Sequence, residues 1–534
     1  MARTSPKVLS IPAGLPFLPT LADALLAGRF GPLGDDPLAL ADVTIFLPTR
    51  RAARALHRAI LDRSGRTAAI LPEIRPIGDV DEDDLLLAPF ESPTQRLSLP
   101  MAVAPLQRRL HLTRLTAAFD SALRRDLLEP ADGTPLVPAS IADAFHLAGD
   151  LARLIDDVET AGVSWSRLDT LVPDDLARYW QLSLDFLRIV AEQWPAFLAE
   201  RGLADPAVRR DRLIRAEAAR LAATAGERIV LAAGSTGSIP ATAALLATIA
   251  TLPRGAVVLP DLDTDLDAAG WAAIGGPGEA DPAPAHPQYG LKQLLAAFGV
   301  AREDVVSLGE PPPRLAARRR LISEAFRPAA TTEVWAGMAP PGPDAADGIA
   351  LLVAGTEQEE ALAIALALRE VMEQPGATAA LVTPDRNIAG RVAVELARFG
   401  VEVDDSAGRP LAALPPGVLA RLVLAAAKPD AAATDFVVLA KHPLARFGME
   451  RAQCRAAAEG IDLHLLRRRP LPAGLAGLAL ALEQARVPED EAPLVSALVA
   501  AMLSALGPLA AALAAPERTP ASAFTAMLRE AVTA

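Results

Sequence analysis

Cysteine occurs once in the 534 residues, at Cys454. A lone thiol excludes a disulfide framework and cannot furnish a multi-cysteine zinc or iron–sulfur site. It fits a reducing cytoplasm. Lysine is nearly as scarce. Lys7, Lys292, Lys428 and Lys441 are followed by Val8, Gln293, Pro429 and His442. None stands in the Gly-Lys-Ser/Thr of a phosphate-binding P-loop, so ATP hydrolysis by this chain is not expected. The six histidines are scattered, with no pair at metal-ligand spacing, and Cys454 has no histidine close in sequence. No Gly-x-Ser-x-Gly elbow occurs. No complete catalytic constellation is written in the chain.

Aromatic residues make up 4% of a chain that is 51% hydrophobic. A core of Ala, Leu and Val favours helices and parallel strands over β-sandwiches. The net charge is −13, whereas a free-standing nucleic-acid binder is usually basic. A DNA role therefore needs local positive patches or a basic partner. The opening MARTSPKVLSIPAGLPFL lacks an apolar run of signal-peptide length. Leu494–Ala515 is uncharged and long enough to span a bilayer, but it is Ala/Leu-rich and interrupted by Gly507-Pro508. Two short buried helices with a turn are expected there, and no membrane partner.

The length exceeds what one core supports. The most informative stretch is Ala377–Leu411, ATAALVTPDRNIAGRVAVELARFGVEVDDSAGRPL. Ala379–Val382 reads as a buried parallel strand and Asp385 as an N-cap. Ile388, Val392 and Leu396 mark one face of a helix that Gly400 ends, and Val401–Val403 reads as a second strand. Val43–Leu61, VTIFLPTRRAARALHRAIL, repeats the pattern, with Pro48, Thr49, Arg50 and Ala53 matching Pro384, Asp385, Arg386 and Ala389. An arginine at such a junction sits at the carboxyl edge of a sheet, where α/β proteins bind ligands and helix N-termini attract phosphate. Arg50 and Arg386 are phosphate-facing on one reading and paired with neighbouring acids on the other. Arg50, Arg51, Arg54, Arg58, Arg63 and Arg66, opposed only by Asp62, form a basic patch or a solvated helix face.

In chain order, 1–105 reads as the first part of an α/β lobe. Its strands are expected at Val8–Pro12, from Val43, and at Ala68–Pro72. Asp79-Val80-Asp81-Glu82-Asp83-Asp84 follows, as a solvated acidic loop or a hard-cation site. Residues 106–224 read as a helical insertion without strands, with Leu151, Leu154, Ile155 and Val158 on one face and Tyr179, Trp180, Phe186 and Trp194 as aromatics of the core rather than base-stacking platforms, the alternative such residues offer. The first lobe continues over 225–340. A strand over Arg228–Ala233 runs into Gly234-Ser235-Thr236-Gly237, a loop that either cradles phosphate through Ser235 and Thr236 or simply turns into a helix. Ala256–Pro260 is the next strand, with Asp261 at its end, and Arg314–Phe326 is a basic helix. A second α/β lobe spans 348–411, opening on Ile349–Val353. Residues 412–534 are helical and read as cut in mid-domain.

Taken together, LPTRRAARALHRAIL, IRPIGDVDEDDLL, AAGSTGSIPATAALLATIATLPRGAVVLPDLD, HPQYGLKQLL, ALVTPDRNIAGRV with VEVDDSAGRPL, and KHPLARFG resemble the AddB double-strand-break repair proteins of alphaproteobacterial type, from about residue 8 onward. The resemblance implies two degenerate UvrD-like, P-loop NTPase-type helicase lobes with helical insertions. It also implies a heterodimer with an AddA-like helicase–nuclease subunit that uses ATP and Mg, acting on single- and double-stranded DNA ends. In that comparison Ala377–Leu411 matches helicase motif IV, with Arg386 where active relatives bring an arginine to nucleotide phosphates. Val43–Leu56 takes the Walker A place without its Gly-Lys-Ser/Thr, and Gly234–Pro240 resembles a loop that meets single-stranded DNA. AddB proteins are about twice as long, and their nuclease residues and cluster cysteines have no counterpart here. Two rival readings stand beside this one: a small α/β enzyme holding an anionic metabolite with the Gly234 loop and Arg386, and a non-functional truncated remnant.

Overall fold

The computed structural model describes residues 6–33, 38–65, 70–77, 99–126, 140–170, 178–276, 282–467, 472–515, 517 and 519–534. The chain divides into two compact units, Met1–Ala350 and Leu351–Ala534.

The first unit is built on a six-stranded sheet in the order β3-β2-β6-β7-β1-β8. Its strands are β1 (Val8–Ile11), β2 (Thr44–Leu47), β3 (Glu73–Pro76), β6 (Val230–Ala233), β7 (Gly255–Pro260) and β8 (Val306–Ser307). Every pairing is parallel, with Ile45 opposite Leu231 and Val8 opposite Val257. The four central strands are short apolar runs because both faces of a parallel sheet are covered. Helices α1 (Phe17–Leu26) and α2 (Arg50–Ser64) pack Leu21, Leu25, Leu56 and Ile60 against Ile45, Leu47, Leu231 and Val258 on one face.

Between the two parts of the sheet lie α3 (Pro105–Asp126), α4 (Ile141–Ala161), α5 (Arg178–Glu200) and α6 (Pro206–Thr224). After β6 and β7 come α7 (Pro240–Thr251), α8 (Ala268–Ala273), α9 (Tyr289–Phe298), α10 (Pro313–Ala325) and α11 (Pro343–Ala346). Helices α6, α7 and α9 put Leu221, Leu245, Ile249 and Leu291 against Phe46, Ala232 and Leu259 on the opposite face. Alternate residues of each strand thus feed two cores, as the period of two requires.

Three expectations need correction here. The third strand is Glu73–Pro76, not Ala68–Pro72. It lies at the sheet edge, where a strand alternates instead of running continuously apolar and where Pro76 is tolerated; Ala68 and Ala69 lie outside the described residues. The helical insertion carries a two-residue strand, β5 (Leu203–Ala204), paired in parallel with β4 (Met101–Ala102). Leu154 does not share the buried face of Leu151 and Ile155, for it is 38% exposed. Trp194 is a core aromatic, donating its indole N–H to Asp205 at 3.0 Å. The acidic run Asp79–Asp84 and the side chains of Tyr179 and Trp180 lie outside what is described.

The second unit contains α12 (Glu357–Met372), α13 (Arg386–Arg398), α14 (Pro415–Ala427), α15 (Ala433–Ala440), α16 (Arg451–Gly460), α17 (Gly474–Gln484), α18 (Ala492–Ala514) and α19 (Ala521–Thr533). Helices α12 and α13 bury Ala361, Ala365, Ile388, Val392 and Leu396 between them. The strands expected around them are not assigned among the described residues: Ile349–Val353, Ala379–Val382 and Val401–Val403 are irregular. Without ladder neighbours a four-residue apolar run has nothing to pair its backbone with, and it stays open.

The remaining helices form an Ala/Leu bundle around Val423, Leu439, Leu498, Met502 and Leu506. Ala492–Ala514 is one continuous helix through Pro508, in place of the two helices and turn expected. Among the described residues it is the one helix long and apolar enough to cross a membrane, and its Leu498, Val499, Met502, Leu506 and Leu509 are buried in the bundle core.

Candidate functional site

All six strands run the same way, so their carboxyl ends lie along one edge of the sheet. The helix after β2 covers one face and the helix after β6 covers the other. The loops leaving these adjacent strands therefore turn to opposite faces, which by topology defines a crevice between them, its floor closed by contact of the two loops. That is the topological switch point at which α/β sheets bind ligands. The pair β1 and β7 repeats the arrangement, since α1 covers one face and α9 the other.

Five of the six residues expected to bind phosphate lie on the two segments that leave β2 and β6. Thr49, two residues past β2, caps α2, its hydroxyl accepting from the Ala52 amide at 3.1 Å. Arg50 is therefore the first helical residue. It is half-buried, whereas Arg51, next to it, and Arg54, one turn along, are exposed. Across the crevice, Gly234 leaves β6 with φ 74°, and a methyl group placed on it would stand 3.6 Å from Pro48, so the two loops touch. Ser235 accepts from the Gly237 amide at 3.3 Å, and Thr236 is exposed. Gly237 at φ 63° has no room for a side chain, because a methyl there would lie 2.5 Å from Leu294. Helix α7 then begins at Pro240 without a side-chain cap. Its first amides carry the positive end of the helix dipole towards this edge.

The basic patch on α2 is narrower than its sequence implies. Arg63 is neutralised by Asp23 of α1 at 2.8 Å, an acid that a reading of α2 alone could not supply, and Arg66 lies outside the described residues.

The β1/β7 crevice is different in character. It contains a cavity of about 360 Å³ whose lining includes Gly14, Asp261, Asp263 and residues of α10. Asp261, directly after β7, takes a left-handed backbone with φ 43°, a conformation Asp tolerates better than most residues. Its carboxylate accepts from the Ala13 amide at 3.0 Å. Burial, with Asp263 and Asp265 nearby, pushes its pKa above the ordinary carboxylate value, although the Ala13 amide opposes the shift. Sequence reasoning noted Asp261 as a strand-end acid but missed His286, Gln288 and Arg319 around it. The signal available was HPQYG, which places His286 and Gln288 just before α9.

The sixth residue, Arg386, belongs to the second unit. It opens α13 behind Asp385, whose side chain accepts from the Asn387 amide at 2.7 Å. Its guanidinium is bound to Asp405 at 2.6 Å and donates to the Gly408 carbonyl at 3.1 Å. This is the acid-paired arrangement. Arg386 and the Ala407 amide hold the Asp405 carboxyl down at about 2. Cys454 is buried, and burial raises its thiol pKa, which disfavours a nucleophilic role. Among the described residues no group of three or more His, Cys, Asp or Glu side chains could hold a metal ion.

A scan against protein-family models and a search of curated proteins found no match for the chain.

Proposed function

We propose that this chain is a helicase-like α/β subunit that holds DNA and carries no motor of its own. More particularly, we propose that it is the non-motor subunit of an AddAB-type helicase–nuclease, which processes double-strand ends for recombinational repair beside an AddA-like partner that uses ATP and Mg. The observation that carries the reading is the β2/β6 crevice. There the segment after β2, with Arg50 and then Arg51 and Arg54 on α2, starts beside the segment after β6, with Ser235, Thr236 and the start of α7, from positions far apart in the chain. Arginine, hydroxyl and helix N-terminus are the groups that position a phosphodiester backbone without reading its sequence. On this reading the motor belongs to the partner, in keeping with four lysines none of which stands in Gly-Lys-Ser/Thr. The net charge of −13 makes a local contact patch, rather than the whole surface, responsible for binding.

The test is fluorescence anisotropy of a single-stranded oligonucleotide across a salt series. Affinity should fall steeply with salt. Arg51→Glu combined with Arg54→Glu should weaken it by about tenfold or more and flatten the logarithmic salt slope by roughly one to two units. A salt-independent affinity, or one unmoved by the double substitution, would remove the basis of the proposal, as would strong ATPase activity of the chain alone.

A further inference from the structure

We propose that the β1/β7 crevice is a binding site for a small organic cation, an alkyl- or arylammonium, with Asp261 as its counter-ion. The argument is one of hydrogen-bonding capacity. The cavity of about 360 Å³ has apolar walls from Pro287, Leu315, Ile322 and Phe326, room for an apolar body the size of a phenyl ring with a short chain.

The polar side chains around it are nearly all engaged with the protein. The Asp263 carboxylate accepts from Ser323 at 2.6 Å and from the amides of Asp265 and Leu266 at 2.9 and 3.0 Å. Gln288 accepts from the Asp263 amide at 3.0 Å and donates to the Asp261 carbonyl at 2.9 Å. His286 uses one ring nitrogen on the Phe326 carbonyl at 2.9 Å and the other on the Gln288 amide at 3.1 Å. Arg319 is bound to Asp265 at 2.6 Å.

Asp261 is the exception among the acids. One oxygen accepts from Ala13; the cation that acts on the carboxylate is Arg319, and that guanidinium is itself bound to Asp265. Asp261 is exposed at the cavity, so a ligand cation can reach it, and the apolar walls beside it strengthen such an ion pair. Arg319 is committed to Asp265, which leaves Arg318 as the competing feature among the described lining residues. Its Nη2 donates to the Asp347 carbonyl, and its Nε is buried without an acceptor. An anion drawn to that nitrogen would have to enter a lining that already holds the carboxylates of Asp261 and Asp263. Phe326, 54% exposed, offers a ring face to a cation at the mouth.

The probes are phenethylammonium, neutral 2-phenylethanol and anionic phenylacetate, titrated into the full chain by calorimetry and saturation-transfer NMR. Phenethylammonium should bind about tenfold or more tighter than the alcohol, and Asp261→Asn should remove that advantage while leaving the alcohol unchanged. Asn keeps the Ala13 hydrogen bond and tolerates the left-handed backbone, so the variant should retain its fold. Ile322→Trp, at a position 43% exposed, leaves Asp261 in place and should block all three probes; it also serves if Asp261→Asn does not fold. The proposal is overturned if the ammonium binds no better than the alcohol, if phenylacetate binds best, if Asp261→Asn leaves ammonium affinity unmoved, or if Ile322→Trp still binds the probe.

Discussion

Two stretches of this chain carry the same local pattern, an apolar run, then Pro, a capping residue, Arg and an amphipathic helix. In the helical half they behave alike. Thr49 caps α2 and Asp385 caps α13 through side-chain oxygens on the first-turn amides. Each helix buries one stripe, Ala53, Leu56 and Ile60 in α2, and Ile388, Val392 and Leu396 in α13. In the strand half they part. Thr44–Leu47 lies between β3 and β6, with Ile45 and Leu47 fully buried. Ala379–Val382 is in no sheet, and Val382 is 92% exposed. A helix satisfies its backbone from within. A strand depends on what lies beside it, so the same residues form a core element in one unit and an open run in the other.

The largest expected effect tests the strand halves. Ile45→Ala should cost about 2–5 kcal/mol, because both neighbouring strands hold the site and it cannot collapse. Val382→Ala should stay within about 0.5 kcal/mol, as for other exposed positions. All five tryptophans lie in the first unit, so their fluorescence in a urea titration follows Ile45→Ala, while helical circular dichroism is needed to follow the second unit. Equal losses at the two positions would mean that the Ala379–Val382 run is buried in solution.

The capping substitutions come next, and there the two stretches should agree. Thr49→Ala and Asp385→Ala should each cost about 1 kcal/mol, since each leaves first-turn amides without their side-chain acceptor. A cap worth nothing at Asp385 would show that α13 frays despite its geometry.

These contrasts mark what was legible in the sequence. The parallel α/β class, β1, β2, β6 and β7, the loop at Gly234, the two caps and the stripes of α2 and α13 are all local, and all can be read from spacing. The edge strands were harder. Glu73–Pro76 is half-polar because one of its sides has no neighbour, and Val306–Ser307 is too short to leave a pattern. The three apolar runs around α12 and α13 were read as strands because composition records how apolar a run is, not whether another strand will stand next to it. The candidate site was legible as a list and not as a place. Nothing in the sequence says that Arg50 and Ser235 face one crevice, because that follows from β2 and β6 being neighbours. Nor does it say that Asp23 neutralises Arg63.

The smallest effect concerns the junction arginine Arg386, with Arg54 of α2 as its control. Arg386 holds Asp405, and the pair depresses the Asp405 carboxyl to about 2. Because the folded value lies below the ordinary Asp value near 3.9, the pair's contribution is present above that ordinary value and is lost as pH falls through about 2. The melting difference between Arg386→Gln and the unsubstituted chain, followed by circular dichroism, should therefore be constant near neutrality. It should shrink below about pH 4 and vanish near pH 2. Both side chains are solvent-accessible, so added salt should shrink it as well. Arg54→Gln should show no such acid-dependent difference, because Arg54 has no acidic partner among the described residues. An Arg386 that serves phosphate instead of Asp405 predicts the opposite result: no acid-dependent melting difference, and tighter oligonucleotide binding in Asp405→Asn, where the arginine is released. The two outcomes separate an arginine that closes its own turn from one that waits for a ligand.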